Sequence, residues 1–450
     1  MIINRKSLNR KLIRIATPIA VQGMIVATLS MVDNLMVGFL GETELAAVGI
    51  AAQIFMVHYM VLFGLLSGSA TFMAQFYGTR DDANIRKVTG FAFTLLCAWG
   101  VLCFVLTNCF TNELLSVYTA DPAVRVLAAQ YVRINSISFF LMSFTAPMEM
   151  AFKATQQVRI PMIVSMVVFA SNTLINYILI FGKLGFPAFG VAGAAIGTVA
   201  ARTLEVIIDA FFAFRKKNMF CGNVRSYFGW DPELVRRVIK NATPTTVNEL
   251  LWGLGQTMYV AAFNRIGTTA YAAYQAANVI FNIFNFAAFS VGDAALILVG
   301  EKLGEGDKEY TWALSKHIIK VGIVLSLIIG GFTVILAKPL SGVFNLSDTG
   351  KTYAYYTLIV FGVTMFADMF NGIMIAGVLR GGGDTRFAMV AECLCIWLIA
   401  VPLAFTSALV WHLPIYLALL VTRGESLFRG GILLKRYLSK KWMNTVIEDL

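Results

Sequence analysis

Residues 17–49 read TPIAVQGMIVATLSMVDNLMVGFLGETELAAVG, an apolar run with a single carboxylate, Asp33, inside it. About 20 apolar residues cross a bilayer as a helix, so the run is long enough to span. An ionised Asp near the centre of a spanning helix costs roughly 2.5–3.5 kcal/mol, and such residues face a water-filled cavity or mark an ion path rather than lipid. Asp33 is therefore read as the ligand of a transported ion.

The rest of the chain has the same character. Of 450 residues 58% are hydrophobic and only 14% charged, and the mean hydropathy of +0.73 lies far above that of soluble domains. The pattern is a polytopic bundle of helices with short connections, since nothing alternates at the period of two that a barrel requires. The net charge of +11 does not imply nucleic acid, because the basic residues crowd short loops on one side of the membrane, as insertion demands. Cysteines at 97, 103, 109, 221, 393 and 395 show no C-x-x-C spacing and are read as packed thiols, with neither a disulfide frame nor a zinc site. The start, MIINRKSLNRKLIR, is basic with no cleavage site after the apolar segment, and is read as a cytoplasmic amphipathic lead-in to a retained first helix.

A spanning window places helices near 12–39, 46–76, 88–110, 126–152, 160–182 and 189–214, then near 242–264, 270–302, 316–338, 352–379, 386–410 and 413–434. Twelve spans in an all-α membrane protein follow, with domains at 1–214 (N-lobe), 215–240 (cytoplasmic linker) and 241–450 (C-lobe). The termini and even-numbered connections hold about 26 Lys and Arg against about 5 on the other side, which predicts both termini in the cytoplasm. The linker contributes Arg215, Lys216, Lys217, Arg225, Arg236, Arg237 and Lys240. The halves also repeat. At a shift of 226, LNRKLIRIATP from Leu8 lies on LVRRVIKNATP from Leu234, and Gln75-x-x-Gly78 on Glu301-x-x-Gly304; a slip of one residue then puts Lys153 and Arg159 on Arg380 and Arg386. Two copies of six spans each share one topology, hence parallel repeats about an axis along the membrane normal.

At 1.5 Å per residue, Asp33 reaches the outer half of the first span. Asn172 and Asn176, four apart on one face of the fifth, reach a similar depth, as does Thr198 in the sixth. A carboxylate, two amide oxygens and a hydroxyl suit a hard monovalent cation, Na⁺ at Asp33, Asn172 and Asn176, or a proton relay. The repeat places Tyr259, Ile399 and Leu403 at the equivalents of Asp33, Asn172 and Asn176, so one copy alone holds the set. Interhelical packing bonds are the competing reading of the amides. Gln22, eleven residues before Asp33 on the same face, is expected to line the same cavity, and Pro18 removes a hydrogen bond and marks a bend.

In the second half Asn248, Trp252, Gln256 and Tyr259 form one stripe, and Gln275, Asn278, Asn282 and Asn285 another. Both are costly against lipid and are expected to point inward, as packing contacts or as the wall of a substrate cavity. Glu249 and Asp368, the latter with Asn371 three residues on, are candidate proton or substrate sites. Glu205 is expected to pair with Arg202 and Glu149 with Lys153, while Asp209, Asp293 and Glu392 are less telling. The aromatic and Met content suits flat organic cations.

MVDNLMVGFLG with LAAVG at 31–49, Gln75-x-x-Gly78, NYILIFGKLGFPAFGVAGAAIGT from Asn176 to Thr198, and LRGGGDTR from Leu379 to Arg386 together resemble the multidrug and toxic compound extrusion (MATE) transporters over nearly the whole chain. The resemblance implies a 12-helix, two-lobe exporter in the plasma membrane that exchanges cytoplasmic organic cations for entering Na⁺ or H⁺, with its N-lobe cation site at Asp33, Asn172, Asn176 and Thr198. Some branches have Asp where Asn176 stands, and some use second-lobe acids placed like Glu249 and Asp368. No cofactor, nucleic acid or catalytic group is expected, and the chain is read as a monomer. The nearest alternative is a lipid-linked oligosaccharide flippase of related fold; such proteins have a strongly cationic cavity, whereas the intramembrane charge here is mostly acidic.

Overall fold

The computed structural model describes residues 5–215, 218–220, 222–344 and 346–448; the linker residues Lys216 and Lys217 and the expected packed thiol Cys221 lie outside them. In chain order the helices are α1 (Arg5–Gly38), α2 (Glu42–Gly78), α3 (Asp82–Cys109), α4 (Thr111–Ser116), α5 (Pro122–Asn135), α6 (Ser138–Ala154), α7 (Arg159–Phe181), α8 (Val191–Ala213), α9 (Arg225–Phe228), α10 (Pro232–Asn264), α11 (Thr268–Gly304), α12 (Lys308–Ile335), α13 (Ala337–Ser341), α14 (Asp348–Gly372), α15 (Thr385–Cys395), α16 (Val401–Leu409) and α17 (Ile415–Leu438). Two π-helical runs, Ile373–Leu379 and Ile396–Ala400, interrupt the second half. All described regular structure is helical, as expected where backbone groups have no water to bond.

The repeat is visible in the capping chemistry. Asp81 accepts from Asn84 N at 3.0 Å to start α3, and Asp307, 226 residues on, accepts from Tyr310 N at 2.9 Å to start α12. Each cap satisfies an amide that has no partner inside its helix. Both helices run 28 residues, and the preceding α2 and α11 both run 37. They are entered through Gly41 at φ 157° and Gly267 at φ 141°, a backbone region that side chains avoid. The slip of one residue falls between Glu301 and Arg380, and the run Ile373–Leu379 lies in that interval. A π-helical turn absorbs one extra residue inside a helix, which accounts for the slip.

Nine helices among the described residues are long and apolar enough to cross a membrane. The expected spans 126–152, 242–264 and 413–434 are not among them. The first is broken around Ser136 and Ile137 into α5 and α6. The other two carry polar and charged side chains, Asn248 and Glu249 in α10 and Arg423, Glu425 and Arg429 in α17, that depress their hydropathy. Large apolar side chains such as Leu327, Ile328 and Phe332 on α12 are well exposed, as suits contact with lipid.

The chain forms two compact units, Val21–Val238, and Met1–Ala20 with Ile239–Leu450. These bounds differ from those drawn at 214 and 241. The stretch through Val238 groups with the first unit because it packs on α3: Arg86 donates to Met219 O at 2.6 Å, and the Tyr227 carbonyl lies where a Cβ on Gly90 would be. The first turns of α1 group with the second unit, where Lys11 Nζ meets Glu301 Oε2 at 2.7 Å.

Within the first unit, Val37, Val48, Ile180, Val191 and Ala194 form an apolar cluster from α1, α2, α7 and α8 that backs Asp33. In the second unit Phe263, Tyr274, Phe281, Leu358, Phe361 and Leu419 form the main core. There α12 and α14 touch through paired glycines, a Cβ on Gly362 lying 2.7 Å from Gly330 O. Small residues allow this close approach in a membrane, where dispersion contacts rather than the hydrophobic effect hold helices together. Gly362→Val is expected to push the two helices apart at a cost of about 1–3 kcal/mol, read as a lower midpoint of thermal unfolding in detergent; an unchanged midpoint would contradict the close contact. The five described cysteines are free thiols, Cys395 buried and Cys109 exposed, so Cys109 is not the packed thiol expected of it.

Candidate functional site

Asp33, Asn172 and Asn176 meet. Asn176, fully buried on α7, donates through Nδ2 to Asp33 Oδ1 at 2.8 Å and to Asn172 Oδ1, one turn earlier, at 3.0 Å. One amide thus bridges two acceptors, the position a cation would take between them. The other end of that amide, Asn176 Oδ1, is buried with no hydrogen-bond partner. It lies against Gly197, where a Cβ would overlap it, so glycine at 197 is what lets α8 approach. Buried acceptors are almost always paired, and this exception sits inside the polar cluster.

Thr198 donates its hydroxyl to Ala194 O at 3.0 Å, and the Tyr131 hydroxyl lies close to both Thr198 and Asp33. Tyr131, on α5, is a member of the site that sequence reasoning missed; a lone Tyr among many aromatics has no polar neighbour to mark it.

Gln22 departs from expectation. It is buried, and its Nε2 donates to Glu149 Oε1 at 2.9 Å rather than reaching the Asp33 cluster. Eleven residues on one face amount to about 16 Å of helix, enough to bring a different neighbour. Glu149 also takes Lys153 at 2.6 Å, and Arg202 pairs with Glu205 at 2.7 Å, both as expected from their spacing.

The acids of the second unit are paired with arginines. Glu249 Oε1 meets Arg380 at 2.6 Å, and Asp368 is held by Arg423 and by Ser426 Oγ at 3.3 Å. Asn371 donates to Ser426 O at 2.8 Å, a packing bond between α14 and α17. Asn248 donates to Glu392 at 2.8 Å, and Arg429 bridges Glu392 at 2.7 Å and Glu425 at 3.1 Å. Arg423 also covers the Phe281 and Phe361 rings at 4.9 and 4.6 Å, a cation–π contact. So Glu249 and Asp368 are not free carboxylates, and Glu392 is more than incidental. Arg423, Glu425 and Arg429 were overlooked, although three charges within one apolar span are themselves the signal. Of the stripes, Asn248 is buried, Trp252, Gln256, Tyr259 and Asn278 are half-buried, and Gln275 and Asn282 are exposed, so the second stripe does not point uniformly inward.

The MatE family model matches residues 18–178 and again 244–406. The chain belongs to the MatE family. The two matches begin 226 residues apart, the same shift as the repeat, and together they cover most of the chain. As a MATE transporter it is a membrane protein and not an enzyme. It is 25% identical, over 89% of its own length and 87% of the relative's, to a probable multidrug resistance protein YoeA of Bacillus subtilis. It is 24% identical, over 97% and 93%, to a probable multidrug resistance protein NorM of Thermotoga maritima. A MATE crystal structure in the straight conformation matches with TM-score 0.88 at 18% identity, covering 96% of this MATE chain and 97% of that one, which speaks for the fold alone.

Proposed function

We propose that this MATE protein is a cation-coupled antiporter that exports small organic cations from the cytoplasm by alternating access, as a monomer in the plasma membrane with both termini cytoplasmic, and that Na⁺ or H⁺ bound at Asp33 drives it. The single observation that carries the reading is the Asn176 amide, which donates to Asp33 and Asn172 at once while its own oxygen stays unpartnered. Turning that amide by half a rotation removes a donor and offers an oxygen. Na⁺ would then find Asp33, Asn172 and Asn176 oxygens around it, with Thr198 beside them; a proton on Asp33 would instead make the carboxyl a donor to Asn176 Oδ1. One carboxylate among neutral oxygens is balanced by one monovalent charge of either kind. The names of the relatives, multidrug resistance proteins, support drug-like cargo.

Such an ion drives export only if it binds the two access states with different affinity. With purified protein in dye-loaded vesicles, a Na⁺ gradient and a pH gradient are imposed separately. At least one is expected to speed efflux by about tenfold, a coupling of the usual size. No acceleration by either gradient would overturn antiport.

A further inference from the structure

A second polar system in the unit Val21–Val238 adjoins the Asp33 cluster and shares Thr198 with it. On α8, Thr198, Arg202, Glu205 and Asp209 follow at steps of four, three and four, which puts them on one face over about 16 Å. The stripe starts beside Asp33 and ends one turn before the end of the helix. Glu149 and Lys153 lie on α6, which packs on α8 and brings Glu149 near Arg202, and Gln22 on α1 bonds Glu149 at 2.9 Å.

Two ion pairs use up all but one of these charges. Lys153 takes Glu149 and Arg202 takes Glu205, leaving Asp209, which is 2% exposed and makes no hydrogen bond or ion pair among the described residues. A second orphan lies in the same cluster: Gln22 Oε1 is buried with no donor. Three carboxylates, two cations and two unanswered acceptors make a site one proton short of neutrality and of hydrogen-bond satisfaction.

We propose that Asp209 carries an exchangeable proton and forms the inner end of a proton ladder that runs along α8 from Asp33. The inference rests on the reading of Asp33 as the ion site, and it commits that reading to the proton. Protonation adds one H⁺ from water to the Asp209 carboxylate and makes the cluster neutral; release returns the same H⁺ to water and leaves one net negative charge. The charged groups that face Asp209 are Glu205 and Arg202 on its own helix and Glu149, with its partner Lys153, from α6. Of the other helices packed on α8, α7 brings Arg159, exposed in its first turn, and the exposed Tyr177, and α5 brings Arg125 and Arg133 together with Tyr131, which sits at the far end of the stripe beside Thr198.

The test is efflux from vesicles without Na⁺ under a pH gradient, with Asp209→Asn, Asp209→Glu and Asp33→Asn compared. Asp209→Asn is expected to lower efflux at least about tenfold and to flatten its pH profile while equilibrium dye binding persists, and Asp209→Glu to restore both. Wild-type efflux and pH profile in Asp209→Asn, with Asp33→Asn inactive, would overturn the ladder and leave the Asp33 reading standing. Full efflux in Asp33→Asn would instead sink the reading beneath it. Should Asp209→Asn not fold, difference infrared spectra decide: the protonated-carboxyl band of the wild type is expected to shift in Asp209→Glu, and an unshifted band overturns the proposal.

Discussion

Asp33→Asn is expected to reduce gradient-driven efflux roughly 5- to 150-fold, the range of a lost coupling of about 1–3 kcal/mol, with little change in unfolding temperature. The side chains are nearly the same size, so the apolar cluster of Val37, Val48 and Ile180, which draws on the same α1 and α7, should keep its packing. What disappears is the charge. A hydrogen bond to a charged group is worth about 1.5–3 kcal/mol against about 1 kcal/mol for a neutral one, and an ion held by the carboxylate loses at least that difference. A swing between access states that is nearly complete in both directions needs about 5.5 kcal/mol of differential binding, so whatever part of it is lost with the charge leaves the swing incomplete. The measurement is dye efflux beside a melting curve on the same preparation. Unimpaired efflux would remove Asp33 from the mechanism.

The largest stability effect is expected at Arg429. Its guanidinium lies between Glu392 and Glu425, with all three side chains at most 11% exposed. Arg429→Gln leaves two carboxylates facing each other in a dry interior, and breaking a buried pair in this way costs about 3–5 kcal/mol. The apparent melting temperature should fall by something on the order of 10 °C. Adding Glu392→Gln and Glu425→Gln to that variant removes the uncompensated charge and should recover most of the loss. If the triple variant is no better than the single one, the cost lies in packing around the arginine stem and not in electrostatics.

What the sequence makes legible follows from cost. Asp33, Asn172 and Asn176 stand out because a polar group in an apolar run must be answered somewhere, and helical spacing with depth suffices to bring them to one level. Ion pairs at three or four residues, Glu149 with Lys153 and Arg202 with Glu205, are equally local. Glu249 and Arg380 are 131 residues apart in sequence, and neither depth nor spacing shows that they meet. Gln22 fails differently: its face was right, but its level on α1 belongs to Glu149. Tyr131 could not be told from the many aromatics that only pack.

The wide helical turn at Ile373–Leu379 has a consequence for how the halves have stayed alike. In a regular helix, each residue inserted or lost swings every later side chain by about 100° around the axis, which would turn a buried face to lipid. By swallowing the surplus within one slackened turn, the later half keeps Arg380 in phase with its counterpart Lys153 despite unequal length. Trimming one residue inside that turn should therefore be survivable, where the same deletion a few turns away is not.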